Sequence, residues 1–424
     1  MESIRGRLNE IFIILAFFSI LSNPLFAQLD TQHWIPPVYT NTIGNLNQQY
    51  IYLSTPSDNP IPVRVMDASC ENVIAEVVIS RQNPGRFDIG GGESRMATSQ
   101  VANLNTPLQD MGYCLQAALP FYANLRMHNN NQSGSLTAKG QIGVGTIFRT
   151  GQILEYDAED RTLPRSSYLG VLALEDGTEI RVSDFPAETI FANGAEDDEL
   201  LATLNRGESY LVGINMSDPL TSVESANALM GALVESTNGK SIVLSCGSIL
   251  GAPTDDDGQD MGLDQPVPVE WIGTEYIAVK GNGGPVQERP IVIAHEDGTE
   301  IYVNGEAAPL ATINAGEHFA IPRENYGDVR GNMYIRTSNP TYVYQMLSST
   351  NRNVNLSLNF LPPINCFQPR EVNNIAAVDQ IGDVQFIGGI ILVTTSLANV
   401  EVEDDNGAVV LPAPTPVPGR PAFS

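Results

Sequence analysis

GVLALEDGTEIRVS at residues 170–183 and PIVIAHEDGTEIYVN at residues 290–304 share the hexapeptide EDGTEI, which begins at Glu175 and again at Glu296. In both copies apolar residues flank an Asp-Gly pair, Asp176-Gly177 and Asp297-Gly298. Asp-Gly tolerates the positive φ angles of a two-residue type I′ turn, so each copy predicts a β-hairpin. The likeness continues downstream. LATLNRGESYLV (201–212) matches LATINAGEHFAI (310–321), and ALVESTNGKSIVLSCG (232–247) corresponds to NMYIRTSNPTYVYQML (332–347). Each reads as two short strands around Gly or Pro, giving three successive hairpins per copy.

The same order recurs towards the N-terminus, in YIYLSTPSDNPIPVRVMD (50–67), AEVVISRQNPGRFDIG (75–90) and YCLQAALPFYANLRM (113–127), and GGIILVTTSLANVEVEDDNG (388–407) opens a further round. A lone hairpin is marginal in water and must bury one face against partners. Repetition supplies them. The units recur every 100 to 120 residues or so, the size of a sandwich domain and more than the roughly 40 to 50 residues of one propeller blade. The expected fold is therefore all-β: tandem antiparallel, sandwich-like units over 28–140, 141–262 and 263–372, then an incomplete fourth unit or linker over 373–424. A closed propeller-like array, two blades from each unit, is the alternative. The strongest helical signal, EDDELLATLN at 196–205, overlaps a repeat strand. Because a half-built unit exposes strand edges, a chain continuing past Ser424 is expected.

Residues 1–27 carry Arg5 and Arg7, an apolar run from Ile11 to Leu21, and Ala27 before Gln28. That pattern predicts a secretory signal peptide cleaved after Ala27. The apolar run is shorter than the roughly 20 residues that span hydrocarbon, so no membrane insertion is expected after cleavage. Of 424 residues, 22 are basic and 49 acidic, for a net charge of −27. Binding to nucleic acid or anionic lipid needs clustered Lys and Arg, and the balance argues against both.

An exported chain meets an oxidising compartment, where Cys70, Cys114, Cys246 and Cys366 pair more readily than they stay free. Three connectivities are open to four cysteines. Cys246 and Cys366 each follow the last strand of a unit, which favours that pair together with Cys70–Cys114. In APTDDDGQDMGLDQ (252–265), Asp255, Asp256, Asp257, Asp260 and Asp264 crowd together. Ca²⁺, with its six to eight oxygen ligands, would offset their repulsion, although Asp260 stands where an EF-hand requires Gly. A solvated acidic loop between the second and third units is the other reading. Ca²⁺ is the only cofactor these residues suggest.

Other chemistry finds little footing. His33, His128, His295 and His318 lack metal-site spacing, and there is no G-x-S-x-G elbow. GNGG at 281–284 lacks the Lys-Ser/Thr of a phosphate loop. Trp271 reads as packing between units, with a sugar-stacking platform as the other reading, and Trp34 as a pin for the mature N-terminal segment.

The ordered phrases DMGLDQPVPVEWIGTEYIAVKGNG (260–283), ERPIVIAHEDGTEIYVNG (288–305), LATINAGEHFAIP (310–322), NMYIRTSNPTYVYQMLSS (332–349) and LNFLPPINC (358–366) resemble the IgGFc-binding protein N-terminal domain family, in particular its bacterial members on the surfaces of gliding bacteria. The resemblance implies a secreted, non-enzymatic adhesion or ligand-binding ectodomain at the cell surface, taking a protein or glycan partner. Such bacterial members often precede a gliding-associated, type IX sorting domain, which this sequence lacks. Immunoglobulin binding is not implied, since no matched phrase is a known Fc-contact motif. Fold analogy does not specify a ligand. A β-rich carbohydrate-active enzyme and a structural repeat protein of an extracellular sheath are the alternatives.

Overall fold

A computed structural model describes residues 28–41, 46–129, 132–156, 165–216, 223–253, 259–281, 283, 287–327, 331–347, 356–364, 372, 375–386, 389–404 and 406–424. The expected signal peptide lies outside them. The protein is all-β, and its strands fall into three sets with one shared order. The first holds β1 (Asp30–Ile35), β2 (Leu46–Ser54), β3 (Ile61–Met66), β4 (Val73–Ile79), β5 (Gly85–Gly90), β6 (Tyr113–Asn129) and β7 (Ser133–Thr137). The second holds β8 (Ile147–Arg149), β9 (Ser166–Ala173), β10 (Thr178–Ser183), β11 (Leu200–Leu204), β12 (Ser209–Asn215), the pair β13 (Leu233–Ser236) and β14 (Ile242–Gly251) in sixth place, and β15 (Asp260–Asp264). The third holds β16 (Gly273–Val279), β17 (Pro290–Ala294), β18 (Thr299–Val303), β19 (Ala311–Ile313), β20 (His318–Ala320), β21 (Asn332–Leu347) and β22 (Ser357–Phe360).

Within every set the second strand pairs with the fifth and with the far half of the sixth. The third pairs with the fourth and with the near half of the sixth. First and seventh strands complete the near and far halves respectively. Two antiparallel layers result, joined along the sixth strand. This is the sandwich-like arrangement, not a propeller.

The sequence divides the strands differently from the fold in two places. The expected third hairpin is a single strand in the first and third sets: β6 runs 17 residues and β21 runs 16. Its Gly- or Pro-bearing middle bends the strand without reversing it. Near Ser338-Asn339-Pro340, β21 leaves β18 at Thr337 and joins β17 from Thr341. The EDGTEI turn is not a hairpin either, because β9 and β10 pair with different strands in different layers. Only the glycines have positive φ, 65° at Gly177 and 66° at Gly298, whereas a type I′ turn needs it at both central residues. The Asp-Gly pair therefore makes a corner between layers.

That corner explains why two phrases repeat together. Asp176 Oδ1 accepts from the Arg206 amide and Asp297 Oδ1 from the Ala315 amide, both at 3.0 Å. The amides of Gly177 and Gly298 donate to Oδ1 of Asn205 and Asn314 at 3.4 and 3.3 Å. Thr178 and Thr299 each donate to the carbonyl three residues back at 2.7 Å. Glu208 and Glu317 each accept from the amide of their own Asn at 2.7 Å. EDGT and N-x-G-E are thus two halves of one lock. Asp297→Ala, which strands the Ala315 amide, is expected to lower stability in urea by about 1 kcal/mol, and Asp176→Ala to match it.

The sets are not separate beads. One core cluster combines Ile51, Val63 and Leu125 of the first set with Tyr168, Leu211 and Met261 of the second. Another combines Ile153 and Met230 with Ile291, Tyr342 and Tyr344 of the third, and Trp271 packs against it, as inter-unit packing requires. Trp34 reaches beyond its own set, lying with Met66 and Cys114 against Leu172 and Val243. The seventh strands β7, β15 and β22 lie side by side in that order.

Cys70 and Cys114 form a disulfide, tying the loop after β3 to the start of β6. The pairing of Cys246 with Cys366 is not made: Cys246 is a free, buried thiol, and Cys366 lies outside the described residues. Placing Cys246 at the end of a hairpin assumed that the strand stops there. Instead β14 runs on to Gly251, with the thiol inside the second set's core. Burial pushes the thiol up to about 12, against the Gly151 amide that donates to it at 3.3 Å. Since the thiolate is the reacting form, Cys246 should resist alkylation in the native protein and label fully in denaturant, read by peptide mass spectrometry. Labelling of the Cys246 peptide under native conditions would contradict its placement.

Candidate functional site: a cleft between the second and third strand sets

The second and third sets meet around a cleft of about 520 Å³ lined by Asp184, Phe185, Pro186, Asn227, Met230 and the segment Ala315 to His318. One wall is the chain leaving β10, where Asp184 sits at φ 58°. The opposite wall is the N-A-G-E turn between β19 and β20, which Asp297 and Asn314 hold rigid through the corner lock. The repeated motif thus presents a fixed loop across the gap.

Against the lining residues Asp184 and Gly316 lies Arg149, from the end of β8 and only 2% exposed. One of its Nη atoms meets Asp184 Oδ2 at 3.0 Å and the Gly231 carbonyl at 2.8 Å. Its Nε is buried without a hydrogen-bond partner, as is Nδ1 of the neighbouring His295. Burial holds His295 below the usual imidazole range, and the positive charge of Arg149 lowers it further. Burial alone lowers His318. Both rings are neutral at pH 7, which leaves them as hydrogen-bonding groups. The volume falls within the usual range of ligand pockets, and apolar walls with a few polar groups suit recognition of a side chain or sugar.

The residues singled out from sequence go elsewhere. Asp255, Asp256 and Asp257 lie outside the described residues. Asp260 and Asp264 are buried in β15, at the meeting of the three sets. Asp260 Oδ1 accepts from the amides of Ser133 in β7 and Met261, at 2.6 and 3.0 Å, and Oδ2 from Leu356 beside β22 at 3.1 Å. Asp264 Oδ1 accepts from the Lys139 ammonium at 3.1 Å and the Gln265 amide at 2.7 Å, while Oδ2 accepts from Phe360 in β22 at 2.5 Å. These carboxylates fasten strands. Among the described residues no three His, Cys, Asp or Glu gather as a metal site. Nothing in the sequence marked Asp184, Asn227 or Met230, which only the packing of one set on the next brings together. The alternation in DMGLD, apolar Met261 and Leu263 between the carboxylates, was a readable strand signal.

Fold and cleft together define a tandem β-sandwich protein with a ligand-sized recess between successive sets. The chain belongs to the IgGFc-binding protein family, whose model matches residues 134–422, most of the chain. This is a family of binding domains. A search of curated proteins finds no match. Among solved structures, the open conformation of the pilus adhesin SpaC from Lactobacillus rhamnosus GG is 8% identical over 86% of this chain and 39% of its own, with a TM-score of 0.13. Two B repeat units of the collagen binding protein of Staphylococcus aureus are 8% identical over 78% of this chain and 74% of theirs, with a TM-score of 0.09. TM-scores this low describe no shared fold.

Proposed function

We propose that the protein is a secreted, non-catalytic adhesion ectodomain that binds a protein or glycan partner at the cell surface through the cleft between its second and third sets. The observation that carries this reading is position: every residue lining the cleft falls inside the span matched by a binding-domain family. The leader-like residues 1–27 and the net charge of −27 support export and solubility outside the cell. Loops fixed on a rigid scaffold are where binding residues concentrate, and the N-A-G-E turn is such a loop.

The test is to immobilise residues 28–424 and screen them against a glycan array and a panel of extracellular proteins that includes immunoglobulin Fc. Ala315→Trp, which fills the cleft from a partly exposed position, is the control. A partner whose affinity drops at least tenfold in this variant, at unchanged melting temperature, supports the reading. A partner bound equally by both forms would move the site off the cleft, and turnover of the bound glycan or protein would sink the non-catalytic assignment.

A further inference from the structure

The outward face of each second strand is where its set meets another part of the chain. On β9, Tyr168 and Leu172 pack with residues of the first set. On β17, Ile291 and Ile293 pack with Ile153 and Met230 of the second set, while Val292 and Ala294 enter the third set's own core. The first set repeats the alternation: Ile51 and Leu53 of β2 enter its core, and Tyr50 and Tyr52 face outward. What covers these two rings comes from far along the chain. Residues 376–386 lie on them, with Gly382 placed 330 positions after the Tyr52 it touches.

The surface beneath this segment is built for a peptide backbone. The Arg126 guanidinium, from β6, lies over the Tyr52 ring at 4.1 Å, and that of Arg86, from β5, over Tyr50 at 4.8 Å. Arg126 is only 9% exposed, and it donates to the carbonyls of Ala376, Ala377 and Gln380 at 2.7, 2.5 and 2.8 Å. Arg86 donates to the Gly382 carbonyl at 3.1 Å, and the Gly382 amide donates to the Tyr52 hydroxyl at 2.8 Å. Ile381, 7% exposed, packs on both tyrosines, and Phe386 meets the His128 ring edge-on. Gly382 (φ +58°) is pressed on the seat: an added Cβ would stand 2.0 Å from Gln48 Oε1 and 2.7 Å from Cε2 of Tyr50. Asp379 lies near enough to Arg126, and Asp383 to Arg86, for their negative charges to attract these guanidiniums. On either side of the segment the chain is held elsewhere, since Ile364 and Val417 both pack on Ile277 and Tyr334 of the third set. Residues 376–386 thus form a strap that reaches from the third set to the first.

We propose that this face of the first set is a peptide-recognition seat, and that residues 376–386 are its resident occupant, which must lift for a partner to enter. The partner is a polypeptide turn with the strap's own chemistry: an aliphatic residue followed by a glycine in the left-handed region, with carboxylates on either side. The arginines bind backbone carbonyls, so they read the shape of the turn, while the tyrosines take the aliphatic side chain and exclude any side chain at the glycine. Two guanidiniums over two aromatic rings, in a chain of net charge −27, favour an acidic partner. A tethered occupant competes at an effective concentration on the order of millimolar, which keeps the seat closed to weak binders. The seat is separate from the cleft between the second and third sets, and its use does not depend on a ligand there.

The probe is a synthetic peptide of residues 375–386, added to the full chain. Gly382→Val in the chain should dislodge the strap while leaving the seat untouched, and Ile381→Asp should do so independently. In each variant residues 376–386 are expected to lose amide-exchange protection, and the peptide to bind one-to-one at least tenfold more tightly than to wild type. Adding Arg126→Gln to the Gly382→Val chain should weaken that binding at least tenfold, and a peptide itself carrying Gly382→Val should not bind. If the strap exchanges freely in both variants and the peptide binds no better than to wild type, the strap is a structural cover only and the proposal falls. Protection of 376–386 retained in both variants, or equal binding of the glycine and valine peptides, would also overturn it. So would a wild-type dimer in sedimentation that Gly382→Val abolishes, since the occupant would then be the strap of a second copy.

Discussion

Asp264→Ala is expected to cost about 3 to 5 kcal/mol, the range for breaking a buried ion pair by removing one partner. Asp264 and Lys139 have side chains only 8% and 9% exposed. Without the carboxylate the Lys139 ammonium stays buried and uncompensated, and the amides of Gln265 and Phe360 lose their acceptor. The cost falls where the three sets meet, since Lys139 follows β7, Asp264 ends β15 and Phe360 ends β22. Urea titration should show the loss, and amide exchange should show Phe360 among the first groups released. Replacing both partners with apolar residues, Lys139→Met with Asp264→Leu, should recover most of the stability, because desolvation of the pair then disappears along with its attraction. A double variant as unstable as the single one would place the damage in the lost amide acceptors instead.

Much of the fold was legible because strand repetition is a local signal. The all-β class and the recurring order of units follow from EDGTEI and its companions, whereas the Cys70–Cys114 bridge was expected only as the complement of a Cys246–Cys366 pair that is not made. Strand connectivity was not legible. A Gly- or Pro-bearing polar turn looks the same whether it reverses a strand, bends one long strand as at Ser338-Asn339-Pro340, or carries the chain between layers as at Asp297-Gly298. Periodicity reports which residues are buried, and says nothing of which strand lies alongside. The same limit produced the unmade Cys246–Cys366 pair. The cleft was hidden for a related reason: Asp184 and His318 are 134 positions apart, and only the docking of Gly316 on the second set brings their turns together.

Asp260 should make the protein less stable as pH rises from about 4 to above 7. Burial pushes its carboxyl up to about 7, and the amides of Ser133, Met261 and Leu356 pull it down by less than burial raises it. Unfolded, the group returns to its ordinary value of 3.8. Between those two values the folded state holds a proton that the unfolded chain has lost, so stability falls with rising pH. The contribution is fully present below the unfolded value and is lost as pH rises through the folded one. Over that interval it amounts to about 4 kcal/mol at most, at 1.36 kcal/mol per unit. Asp260→Asn removes the titration while keeping the size of the side chain. The difference in unfolding free energy between wild type and this variant, measured at several pH values from 4.5 to 8, should therefore fall by several kcal/mol towards the alkaline end. Parallel curves would mean that the three amides hold the carboxylate charged throughout. A carboxylate at the junction of three sets that is neutral in mild acid makes that junction tighten on acidification, the reverse of what paired surface carboxylates do, and the Asn difference curve isolates this from the repulsion of a chain carrying a net charge of −27.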